Sequence, residues 1–187
     1  MTNEELKTQK WIICLHEGAH LLVGKYLSPQ KASRAEAVYS TKYHCYAGLC
    51  SCPFPSEHLI LECVFTAAGY EGARYASIRP TAPYTPPAEP EPTSQTEGQP
   101  EPPEAATVRT LLTCTGDREF LAQAVAQLYP EYHEVRHWHR THRRWRARAR
   151  LILKENLPEL LTIANELYEK SIYVYRPGAG ASDAVGV

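Results

Sequence analysis

The sequence predicts an α+β fold, mainly helical, built around a short β-hairpin and interrupted by a disordered proline-rich insert. Three observations carry that class: long proline-free stretches with apolar residues at steps of three and four, two short runs of β-compatible residues, and nine of the fifteen prolines gathered within residues 80–103. A chain of 187 residues can bury one sizeable core but is too short for two full domains of ordinary size.

The first helix opens on Thr2-Asn3-Glu4-Glu5, a capping-box pattern, and continues to about Leu27 with Leu6, Ile13, Val23 and Leu27 on its apolar stripe. Ala35 to Tyr39 and Tyr46 to Ser51 read as the strands of the hairpin, separated by a polar turn at Ser40 to Lys42. Pro53 and Pro55 stop the hairpin, and Ser56 to Ile78 reads as a second helix. Residues 80–107 mix proline with Thr, Ser, Gln and Glu; such a segment lacks regular backbone donors and apolar surface to bury, so an extended, mobile linker is expected. Thr115-Gly116-Asp117 begins a helix to about Leu128, ended by Pro130. A long helical region is expected from about Glu131 to Tyr173, with Val135, Trp138, His142, Trp145, Ala149 and Ile152 on one stripe and Pro158 as a kink or break. Residues 177–187, rich in Gly and Ala, are expected to form a disordered tail. The predicted organisation is one domain made of two segments, residues 1–79 and 108–176, flanking the 80–107 linker.

Twenty basic against twenty-one acidic side chains leave a formal charge of -1, which excludes a globally basic nucleic-acid binder. No run approaches the ~18–20 apolar residues of a membrane span. The start Met1-Thr2-Asn3-Glu4-Glu5 lacks the basic residues of a signal peptide, which points to the cytoplasm. The six cysteines then read as reduced thiols.

His16-Glu17-Gly18-Ala19-His20 fits H-E-x-x-H, a spacing that puts two imidazoles one helical turn apart on one face, where both can ligate one zinc ion. The intervening glutamate projects beside that face, within reach of a proton on water held there. A second match, His133-Glu134-Val135-Arg136-His137, is followed by His139 and His142. The surroundings separate the two. The first lies within Trp11-Ile12-Ile13-Cys14-Leu15 and Leu21-Leu22-Val23, so its helix is buried, and two buried imidazoles with a carboxylate call for a compensating ion. The second shares its face with Arg140 and Arg144, cations that repel a divalent metal. A catalytic zinc site generally takes a third protein ligand, and the candidate carboxylates are Glu36, Glu57, Glu62, Glu71, Asp117 and Glu119.

The order of these motifs resembles the peptidase domain of the FtsH-type ATP-dependent zinc proteases. In that family a His-Glu-Ala-Gly-His helix precedes a strand pair, a helix with an Ala-Gly-x-Ala-Ala-Glu-Glu signature, and a Thr-Gly-Ala-x-x-Asp segment opening another helix. Here His16-Glu17-Gly18-Ala19-His20, the hairpin, Ala67-Ala68-Gly69-Tyr70-Glu71-Gly72-Ala73 and Thr115-Gly116-Asp117 follow in that order, and Ala147 to Tyr173 is similar to the family's terminal helices. The resemblance implies a zincin-like helical domain in which His16 and His20 hold zinc, Glu17 is the general base and Asp117 the third ligand, with Glu119 and Glu71 as alternatives. It implies a zinc-dependent endopeptidase. No G-x-x-x-x-G-K-[ST] loop is present, so the expected activity is ATP-independent, on flexible polypeptides or on proteins delivered unfolded by a separate ATPase.

Two further features bear on partners and metals. Residues 136–150 carry seven arginines; Trp138 and Trp145, seven apart, read as core anchors with the arginines on the opposite, wet face, which argues against nucleic acid as the partner. A non-catalytic adaptor that uses the linker and this face is the other alternative. His44, Cys45, Cys50 and Cys52 form a loose metal-type cluster, while Cys14, Cys63 and Cys114 read as core residues.

Overall fold

The computed structural model describes residues 2–54, 58–84, 115–129 and 135–177. The fold is α+β and mainly helical. Helix α1 (Asn3–Leu27) begins at Thr2, whose hydroxyl accepts from the Glu5 N–H while the Glu5 carboxylate accepts from the Thr2 N–H, closing the capping box. From Lys10 to Gly24 nearly every residue of α1 is buried, so it is the central helix and is covered on several sides.

Strands β1 (Ser33–Ser40) and β2 (Cys45–Ser51) pair antiparallel over the whole hairpin, Arg34 opposite Ser51 and Ser40 opposite Cys45. A third strand, absent from the sequence reading, joins them: β3 (Ile172–Tyr175) pairs antiparallel with the other edge of β1, giving the order β2-β1-β3. Its four residues, Ile-Tyr-Val-Tyr, suit a pleated surface but are too few to register as a period. The preceding Ser171 adopts φ 63° and turns the chain out of the last helix into the sheet.

Helix α2 (Leu59–Gly72) is shorter than the Ser56–Ile78 expected. Beyond Gly72 the chain tightens into a 3-10 turn (Ala73–Tyr75) and straightens ahead of Pro80, whose ring disfavours helix in the preceding residue. Helix α3 (Thr115–Leu128) follows as expected. The long helical region is two helices, α4 (Val135–Glu155) and α5 (Leu157–Lys170). Pro158 lies in the first turn of α5, where a missing N–H removes no intrahelical bond, so it starts a helix and does not kink one.

Helix α1 packs against α2, α5 and the inner face of the sheet, and α2 packs against α3 and α4. Trp11, Leu15, Leu22, Leu121, Trp145, Leu153, Leu160 and Leu167 meet in one core drawn from both sides of the proline-rich insert. The linker expectation differs from the structure at its start. Residues 80–84 lie on the domain surface, with Asn165 Oδ1 accepting from the N–H groups of Thr81 and Ala82 at 2.7 and 3.0 Å. Residues 85–114, which hold the rest of the expected linker and Cys114, and the tail from 178 lie outside the described residues.

Candidate metal centre

The spacing of α1 sets His16 and His20 on one face, their Nε2 atoms 3.0 Å apart. Asp117, in the first turn of α3, brings Oδ2 to 3.2 Å from the Nε2 of each. Two imidazole nitrogens and a carboxylate oxygen thus form a triangle with edges of 3.0, 3.2 and 3.2 Å. Such a group is stable only around a cation, whether a proton or a metal ion. The edges fit a tetrahedral zinc, whose bonds of about 2.0–2.1 Å separate ligands by about 3.3 Å. His20 Nδ1 donates to the Phe65 carbonyl at 2.8 Å, which fixes the ring and leaves the Nε2 lone pair for the cation.

Helix α2 closes the centre from the other side, and it can do so because residue 69 is glycine. A Cβ at Gly69 would come within 2.5 Å of His20 Nε2 and overlap the His16 ring. Gly72 permits the same close approach a turn further along α2, where a Cβ would press on the Leu15 carbonyl oxygen at 2.5 Å. Tyr70 packs edge-on against His16, ring centroids 6.5 Å apart, and against His142 on α4 at 5.6 Å.

Charge follows from these contacts. Burial works against a charged His20 ring, but the Asp117 hydrogen bond and charge outweigh it and lift its pKa to about 9. Burial also opposes the Asp117 carboxylate, yet the hydrogen bonds from His16 and His20 hold its pKa well below the usual range. Glu17 is buried beside the triangle, Oε1 3.9 Å from His16 Nε2, and burial raises its pKa. Strand β2 passes directly over it. A Cβ at Gly48 would fall within 2.5 Å of Glu17 Cγ, so glycine lets the strand and the carboxylate share the space.

The other candidates fall elsewhere. Glu119 is exposed on α3, two residues beyond Asp117 and on a different face. Glu71 is 1% exposed but points away from the triangle: Arg146 Nε and Arg150 Nε donate to its two oxygens at 2.6 and 2.7 Å. Arg146, half-buried, thus departs from the wet face expected of it, while Arg150 stays exposed and reaches the carboxylate from there. Arg140, Arg143, Arg144 and Arg148 are exposed. Glu36 pairs with Arg34 on the sheet, and Glu57 lies outside the described residues. His133 and Glu134 of the second motif also lie outside them. Among the described residues, His16, His20 and Asp117 are the one group of three or more whose ligand atoms converge within 4.8 Å, and His44, Cys45, Cys50 and Cys52 form no such group. Cys14 and Cys63 are buried thiols.

Sequence reasoning did not find Gly48, Gly69 or the Phe65 carbonyl. Glycines inside helical or strand patterns mark close approach, but what approaches was not readable. No protein-family model, curated protein or solved structure matches this chain. Among the described residues, no helix is long and apolar enough to cross a membrane.

Proposed function

We propose that the protein is a zinc-dependent, ATP-independent peptidase acting on extended or unfolded polypeptides. The convergence of His16, His20 and Asp117 into a triangle of zinc-ligand dimensions, with Glu17 buried at its side, carries this reading. Zinc held by His16, His20 and Asp117 would supply a Lewis acid that polarises a carbonyl and acidifies water.

The chain's own residues account for the rest. Glu17, with a pKa raised by burial, is suited to take a proton from water as the oxygen attacks the peptide carbonyl carbon, and to pass it to the amine as the C–N bond breaks. One water is consumed and a carboxylate and an amine are released. The free edge of β2 offers backbone groups to an extended substrate, which provides affinity with little sequence preference.

Incubating the purified protein with casein, with and without zinc and beside Glu17→Gln, tests the reading. Zinc-dependent cleavage that is lost in the variant supports it. No cleavage by the wild type, with zinc bound at one equivalent, counts against it and favours a binding protein that keeps the metal for stability.

A further inference from the structure

The β2 edge is open at one end and walled at the other. Ala37 N–H donates to the Ser171 carbonyl at 2.9 Å, away from β2, and Tyr46 N–H donates to Gln9 Oε1 at 2.8 Å, away from β1. Since backbone direction alternates along a strand, Tyr46, Gly48 and Cys50 are the residues whose N–H and C=O groups face outward. Gly48 lies over Glu17, and among the described residues no hydrogen bond occupies the outward N–H and C=O groups of Gly48 and Cys50. Toward Tyr46 the edge closes. That residue is 2% exposed, its N–H is already taken, and its hydroxyl lies 3.5 Å from that of Tyr84.

Behind this wall sits Lys10, 2% exposed, its ammonium 5.4, 5.5 and 5.9 Å from the ring centroids of Tyr46, Tyr168 and Tyr84. Three π faces hold the cation, and among the described residues no carboxylate pairs with it. The segment bearing Tyr84 is tied down as well, by Trp11 Nε1 donating to the Ile78 carbonyl at 2.5 Å and by the Asn165 bonds to Thr81 and Ala82. The wall is therefore built into the fold.

Resting on the peptidase reading above, we propose that the site takes polypeptides by a free C-terminal end and releases short fragments of two or three residues. Antiparallel addition to β2 is the stronger pairing, and it runs the substrate's C-terminal end toward Tyr46. From Gly48 to the wall there is room for about two residues, or about 7 Å of extended chain. The Lys10 ammonium, close behind Tyr46 and Tyr84, sets positive charge at that end, which suits a terminal carboxylate in front of the wall.

The test is a set of unstructured twelve-residue peptides with a free or amidated C-terminus, and with a free or acetylated N-terminus, incubated with the zinc-loaded full chain and read by mass spectrometry. Cuts two or three residues from the C-terminus, slowed about tenfold or more by amidation and indifferent to acetylation, are expected. Cuts spread along the peptides, or clustered at the N-terminus, would overturn the proposal and leave the peptidase reading standing. Binding of the same fluorescently labelled peptides to Glu17→Gln by anisotropy is independent of turnover. There a free C-terminus should bind more tightly than the amide, and Tyr84→Ala should erase the difference. Equal binding of both peptides would overturn the proposal. Preference for the free end without any wild-type cleavage would uphold the wall as a recognition site and remove the peptidase reading alone.

Discussion

Asp117 Oδ2 stands 3.2 Å from His20 Nε2, although 97 positions separate the two residues along the chain. The contact joins the first turn of α3 to the middle of α1. It makes the centre a product of the folded domain, since α1 alone supplies two ligand atoms and no third.

On the proposed function, removing Asp117 should therefore release the zinc. Asp117→Ala is expected to weaken zinc binding by at least the roughly 10–100-fold typical of losing even a supporting group, read by competition with a chromophoric chelator. Glu119→Ala, exposed and away from the triangle, should leave zinc affinity unchanged. If the two variants behave alike, Asp117 is not a ligand.

Glu17→Gln keeps the shape of the side chain under Gly48 and removes the basic oxygen. Zinc content by mass spectrometry should match wild type, while peptide turnover should fall by about 10²–10⁴-fold, the usual contribution of general acid–base catalysis.

Gly69→Ala should disturb the centre through packing alone. The added methyl would meet both imidazoles, so the helices must separate or the rings turn. A stability loss of about 1–3 kcal/mol by urea unfolding is expected, accompanied by weaker zinc binding. Full retention of both would mean that α2 does not close over the histidines.

Glu71, which is not one of the three converging side chains, gives a pH dependence of its own. Burial would raise its pKa, but Arg150 and Arg146 hold it below the ordinary value of 4.5. A carboxylate with a depressed folded-state pKa contributes stability that is complete above its unfolded value and is lost as pH falls through the folded one. Below about pH 4.5 the wild type should therefore lose stability that Glu71→Gln lacks at every pH. At pH 7 the difference should be about 2 kcal/mol, discounted because both guanidiniums reach solvent. Parallel urea-unfolding curves for the two proteins between pH 7 and pH 3 would contradict this role.

Local chemistry made several features of this protein legible in one dimension. The Thr2–Glu5 capping box, the apolar environment of α1, the hairpin and the His16–His20 spacing depend on neighbours within a few residues, so the sequence by itself determined them. A third strand of four residues was missed because pairing with β1 decides it and it leaves no period; the break at Pro158 was legible, but only the turn at Asn156 decides that the proline starts the second helix. Among the six candidate carboxylates, residue type alone could not choose. Tertiary structure did, because Glu71 was claimed by two arginines from α4 while α3 carried Asp117 to the imidazoles. The same holds for Gly48 and Gly69: their small size is written in the chain, but the reason for it, a carboxylate under one and two imidazoles under the other, exists only once distant segments pack together.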